Sequence, residues 1–284
     1  MPWIQQTRGQ HAMSWALDLV HLHDGSPLFG EEVTSPNGKS LTQFLGIPFA
    51  EPPTGNLRFQ KPIPKEPWRN PLNATSLPNS CIQSPDTYFG NFSGATMWNA
   101  NTPTSEDCLY LNVFVPGKVD PNKRLAVMVW VYGGGFFSGT STEENVILVS
   151  VNYRVSVLGF LYLGKREAPG NMGLWDQQLA LKWVHENIDV FGGDLTRITL
   201  FGESAGAASV NMHMLSPHST PYFQEANTIA EWADASLIIP TATALSGTTC
   251  YAYRSRFIPM DNNLRTEIDG AEDAHGRQWE PPKS

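Results

Sequence analysis

A doubly wound α/β sheet is the fold class that these 284 residues predict. Two continuous apolar runs, Leu125–Val131 and Val146–Val151, read as buried strands. A third stretch compresses strand, turn and helix. Residues 198–201 are apolar, Gly202-Glu203-Ser204-Ala205-Gly206 turns, and the small-residue run Ala205–Leu215 reads as a helix. Across residues 174–191 the apolar period becomes helical, with Ala180, Val184, Ile188 and Phe191 on one face and Gly192-Gly193 as the stop. Strand, helix, strand, sharp turn and helix is a doubly wound arrangement.

The remaining elements follow in order. Residues 20–22 and 46–49 read as short N-terminal strands, with turns at Asp24-Gly25 and Asn37-Gly38. Residues 50–108 are rich in Pro, Asn and Ser without sustained periodicity. They read as a long irregular segment that lines a site rather than fills a core.

The turn around Ser204 is a G-x-S-x-G pentapeptide between strand and helix, the setting of a nucleophile elbow. Gly202 and Gly206 remove side chains that would collide as the backbone doubles back. Ser204 is left at the tip, and the helix behind it offers backbone N–H groups to developing negative charge. The alternative is a Gly-rich turn with an incidental serine. Tyr132-Gly133-Gly134-Gly135-Phe136 directly follows the strand Leu125–Val131. Such a loop completes an oxyanion hole, with N–H groups of Gly134 and Gly135 joining that of Ala205. A phosphate-binding loop is the competing reading. No G-K-[ST] follows, and no acidic residue stands about 20 positions on, so it is set aside.

Composition fits a globular enzyme: 41% of the residues are hydrophobic and the net charge is −8. That charge argues against nucleic acid as a partner. No apolar run is long enough for a membrane span, and the first residues carry no recognisable signal peptide. No cofactor and no metal-ligand set is expected.

With these motifs in place, the chain resembles the type-B carboxylesterase family, and within it the cholinesterases. The matching blocks run in family order: residues 44–53, Met97-Trp98-Asn99, residues 105–112, the glycine loop, Asn152-Tyr153-Arg154, residues 167–171, and Phe191-Gly192-Gly193-Asp194 before the elbow. The resemblance covers residues 17–223. It implies an α/β-hydrolase fold with a mostly parallel sheet whose C-terminal half is missing from this chain. It also implies an acyl-enzyme mechanism on a small-molecule ester, a choline ester or a relative of one.

The resemblance assigns further roles. Trp98 stands where the family binds a choline ammonium by cation–π attraction. Glu203 adds negative charge beside the nucleophile, Asp86 sits at the gorge mouth, and Phe136 and Phe137 line the gorge. Cys81 and Cys108 match a family disulfide, which leaves Cys250 unpaired. Asn73 and Asn91 open glycosylation sequons. Together these point to a secreted or cell-surface protein. Three free thiols in a cytosolic protein is the competing reading.

Departures matter as much. Thr142 runs directly into Glu143, where the family has a longer segment. After Phe223 the resemblance collapses, so residues 1–16 and 224–284 fall outside it. The last 61 residues read as a divergent tail, partly disordered or a misjoined remnant. The family blocks that carry the triad acid and histidine are not recognisable. His213 reads as packed or exposed on the elbow helix, His218 as a loop residue, and His275 before Gly276 is a weak candidate base. Impaired catalysis is therefore expected. The alternatives are a non-catalytic adhesion or binding relative of the same fold, or a degenerate product without function. Oligomeric state is not legible.

Overall fold

The structure, a computed structural model, describes residues 17–35, 38–85, 90, 92, 96, 99–133, 146–229 and 242–244. All belong to one unit, Met1–Tyr251; the second, Ala252–Ser284, lies outside the described residues. The main strands are β1 (Leu17–His21), β2 (Pro27–Thr34), β3 (Ser40–Pro48), β4 (Tyr110–Pro116), β5 (Leu125–Val131), β6 (Val146–Val151), β7 (Gly193–Glu203), β8 (Glu225–Ile229) and β9 (Ala242–Ala244). The helices are α1 (Ser156–Phe160), α2 (Met172–Asn187) and α3 (Ala205–Leu215).

Short turns at the N-terminus make hairpins. Asp24 Oδ1 accepts the Ser26 N–H at 2.8 Å, and Gly25 takes φ 88°, which closes β1 onto β2. Longer connections later in the chain make parallel neighbours. Ten strands among the described residues thus form one sheet in the order β1-β2-β3-β4-β6-β5-β7-β8-β9, with Leu72–Asn73 beside β2. Pairs from β1 through β6 are antiparallel. Those from β6 through β9 are parallel, so the parallel half is the half that carries the elbow.

Period-two alternation sends one row of side chains into the core. Val127, Val129, Val131, Ile147, Val149 and Val151 are buried and cluster with Ala180, Val184 and Ile188 from the α2 segment. Burying each large aliphatic chain stabilises the fold by about 1.5–3 kcal/mol. Phe191 ends the helical stretch and meets Phe44 of β3 edge to face, with ring centroids 5.0 Å apart. The predicted helical face is thus the buried one, though its last turn, Ile188–Phe191, tightens to a 3₁₀ helix before Gly192.

Strand limits differ from the sequence expectation in instructive ways. Residues 46–49 overlap the end of the nine-residue β3, and residues 20–22 overlap the end of β1. Strand β4 was hidden by its central polar residue. Asn112 Nδ2 donates to Ser150 Oγ on β6 at 3.0 Å, and its Oδ1 accepts the Gly46 N–H of β3 at 2.9 Å. An asparagine that satisfies two neighbouring strands looks like a turn residue when they are unseen. The sheet also continues past Phe223, because β8 lies parallel beside β7. Cys81 and Cys108 form a disulfide. Its loop, with a sequence separation of 27, restricts the unfolded chain by about 3–4 kcal/mol on the chain-entropy account.

Candidate active site

Strand β7 ends at Glu203 and α3 begins at Ala205, so a single residue makes the turn. Ser204 takes φ 54° and ψ −124°, outside the regions a non-glycine residue normally occupies. Such a conformation costs on the order of 1–3 kcal/mol and persists only where the surroundings impose it. Here they are backbone. A Cβ on Gly206 would lie 2.1 Å from the Val131 carbonyl oxygen and 2.9 Å from the Tyr132 carbonyl carbon. One on Gly202 would lie 2.7 Å from both the Gly206 and Val131 carbonyl oxygens. The two glycines therefore let the elbow seat directly on the exit of β5, where the glycine loop begins.

The Ser204 carbonyl accepts the Ala208 N–H at 3.0 Å, which makes Ser204 the cap of α3. The N–H groups of Ala205, Gly206 and Ala207 then have no acceptor inside the helix. They form a positive end facing the serine, and Ala205 is exposed there. Glu203 is half-buried as the last residue of β7, opposite Ile229 of β8. Gly133 is buried just after β5. The predicted Gly134, Gly135, Phe136, Phe137, Asp86, Trp98, Asn91 and His275 lie outside the described residues.

Two buried polar groups that the sequence reading passed over hold the elbow from behind. Gln177 of α2 donates through Nε2 to Ser209 Oγ at 3.2 Å, and Ser209 Oγ donates to the Ala205 carbonyl at 2.9 Å. His213 Nε2 meets Gln177 Oε1 at 2.8 Å, and its Nδ1 meets Ser219 Oγ at 2.9 Å. Both ring nitrogens are thus engaged, which removes His213 as a general base for Ser204. Beside this chain, Asp176 binds Arg154 through both carboxylate oxygens, at 2.6 Å and 2.7 Å, and takes the Arg154 N–H at 3.0 Å. Burial pushes the Asp176 carboxyl up, and the guanidinium opposes that shift. The signal for both residues is a polar pair, Asp176-Gln177, inside a helix whose period is otherwise apolar. His218 packs its ring on Trp175 at 5.5 Å, and Lys61 Nζ sits 3.5 Å above the same indole.

His213 makes stability depend on pH. Burial lowers its pKa from 6.5 to about 4 in the folded chain. Between those values the unfolded chain binds the extra proton, so stability is full above about pH 6.5 and is lost as pH falls toward 4. The loss should reach about 3 kcal/mol, and His213→Gln should flatten that slope. Urea midpoints measured from pH 7 to 4 check both; an unchanged slope in the variant overturns the assignment.

A sheet whose parallel half ends in a strained serine between strand and helix, seated where a glycine-rich loop begins, is the arrangement of the α/β serine hydrolases. A model of the carboxylesterase family matches residues 18–251. The chain belongs to the carboxylesterase family. It is 75% identical over 222 residues to Acetylcholinesterase 1 of Caenorhabditis elegans, covering 74% of this chain and 36% of that protein. It is 53% identical over 209 residues to the acetylcholinesterase of Electrophorus electricus, covering 69% of this chain and 33% of the relative. To the cholinesterase of Mus musculus it is 55% identical over 201 residues, covering 66% and 33% respectively. The chain thus spans about a third of the length of these curated relatives.

Proposed function

We propose that this chain carries the nucleophile half of a cholinesterase-type serine ester hydrolase. The observation behind the reading is the elbow: Ser204 at φ 54°, capping α3 against the root of the glycine loop. In this mechanism Ser204 Oγ attacks the ester carbonyl. The developing oxyanion accepts N–H groups from Ala205 and, in the loop, Gly134 and Gly135. The acyl-enzyme then forms as the alcohol leaves. Trp98 and Glu203 would attract a choline ammonium, Asp86 would meet it at the gorge mouth, and Phe136 and Phe137 would line its path. The likeness to an acetylcholinesterase and a cholinesterase supports a choline ester as substrate.

The base is the weak point of these 284 residues taken alone. Ser204 needs a partner to remove its proton, and that partner needs a carboxylate to orient it. His213 is occupied, and His275 has only a faint sequence claim. Loss of the base alone lowers kcat by about 10⁶ in serine hydrolases, with roughly 10³–10⁴ over water remaining. An oxidising compartment is supported by the Cys81–Cys108 disulfide and by Asn73, which is exposed and accepts the sequon hydroxyl of Thr75 at 2.8 Å. No helix among the described residues is long and apolar enough to cross a membrane.

Choline-ester turnover by the purified chain tests this. We expect rates far below the ordinary enzyme range of about 1–10³ s⁻¹, and any turnover above the residual left by the oxyanion hole and binding should vanish in Ser204→Ala. Turnover above that residual and unchanged by the substitution removes Ser204 as the nucleophile. Turnover inside that range, lost in Ser204→Ala, means that a base is present and the impairment is wrong. Binding of a cell-surface partner without Ser204-dependent turnover favours the adhesion reading.

A further inference from the structure

Tyr132 and Tyr153 are remote in sequence and face each other behind the elbow. Tyr132 directly follows β5 and opens the glycine loop; Tyr153 lies two residues past the end of β6. Their rings stack with centroids 4.3 Å apart and planes at 19°. Each hydroxyl serves the other residue's backbone. Tyr132 donates to the Tyr153 carbonyl at 2.9 Å and accepts the Tyr153 N–H at 3.4 Å, and Tyr153 donates to the Tyr132 carbonyl at 2.5 Å. Burial raises the pKa of both phenols, so both stay protonated donors at neutral pH.

The two hydroxyls are not equivalent. The Tyr132 carbonyl is the one that α3 rests on: a Cβ on Gly206 would lie 3.0 Å from its oxygen and 2.9 Å from its carbon. The same peptide continues into Gly133. Its orientation therefore bears on the first turn of the elbow helix, a source of oxyanion donors. Tyr153 can hold that peptide because its own backbone is anchored. The next residue, Arg154, is bound by Asp176 through both its main-chain N–H and its guanidinium. Only 4% of Tyr153 is exposed.

We propose that Tyr153 is a positioning residue for the oxyanion hole. Its hydroxyl sets the Tyr132–Gly133 peptide against Gly206, and so sets the start of α3, which carries the Ala205 N–H. The Tyr132 hydroxyl, which points the other way to the Tyr153 backbone, does not have this role. A structural account predicts the larger effect from the Tyr132 hydroxyl, since it completes two bonds of the pair and the Tyr153 hydroxyl one.

Tyr153→Phe and Tyr132→Phe in the full chain separate the accounts. Each keeps the stacked ring and deletes one hydroxyl, and the thermal unfolding temperature should fall at least as far in Tyr132→Phe, which loses two bonds, as in Tyr153→Phe, which loses one. In glycine-labelled protein, Tyr153→Phe should shift the amide resonances of Gly133 and Gly206, whereas Tyr132→Phe should leave Gly206 in place. Equal shifts in both variants, or none in either, overturn the proposal.

A second measurement reads the oxyanion directly and rests on the esterase reading. Phenylboronic acid forms a tetrahedral anion on a reactive serine. Its affinity should fall about tenfold in Tyr153→Phe, the scale of a small misplacement of donors, and less than twofold in Tyr132→Phe. Equal losses overturn the positioning role. If wild-type chain and Ser204→Ala bind the boronate alike, the esterase reading fails, and the glycine resonances still decide the role of Tyr153.

Discussion

Asp176→Ala is expected to destabilise the fold by about 3–5 kcal/mol, a large share of a domain's total stability. Asp176 is fully buried and Arg154 is 3% exposed. Removing the carboxylate strands a guanidinium that cannot lose its proton and cannot reach water. It also releases the Arg154 main-chain N–H. The remaining Arg154 contact, from its guanidinium to the Gln60 carbonyl at 2.8 Å, carries no compensating charge. The double substitution Arg154→Met with Asp176→Leu should recover most of the loss, because an apolar pair of similar volume has no desolvation to offset. Denaturant unfolding of the three chains checks this. A single-variant loss under about 1 kcal/mol means that the pair is less isolated from water than the structure shows.

Gly206→Ala is the second large effect, and it strikes stability and reactivity together. The new methyl would have to share space with the Val131 carbonyl oxygen at 2.1 Å and with the Tyr132 peptide. Neither is a flexible side-chain end, so either α3 or the exit of β5 must move. Ordinary overpacking costs about 1–3 kcal/mol; with backbone on both sides we expect about 3 kcal/mol or more. Because the same contact seats the Ser204 turn on the exit of β5, any Ser204-dependent turnover should fall by about 10² or more, as a 1 Å misplacement does. A variant with wild-type unfolding midpoint and wild-type Ser204 reactivity would show that the elbow does not depend on this seat.

These expectations differ in how far the sequence alone supports them. The elbow was legible because its chemistry is local. Gly202, Ser204 and Gly206 are close neighbours, and their spacing already demands a sharp turn between an apolar strand and a helix. Strands β5 and β6 and helix α2 were legible because each buries a continuous or strictly periodic apolar surface. Strand β4 was not, because Asn112 satisfies its amide with Ser150 and Gly46, and nothing near it in sequence announces either. Strand β8 was assigned to a divergent tail, since its five residues become a strand through pairing with β7.

The sequence by itself determined the family, the fold class, the sharp turn at Ser204 and the helix behind it, because these rest on short-range spacing and apolar period. Tertiary structure alone decided which polar groups became internal. His213 could have been a base by chain order, yet Gln177 and Ser219 occupy both its nitrogens. Tyr132 and Tyr153 carry no local signature of pairing, yet they stack just past two parallel strands. The physical reason is the same in each case. A buried hydrogen bond takes its value from the partner that replaces water, and here the partner lies between 6 and 36 residues away along the chain.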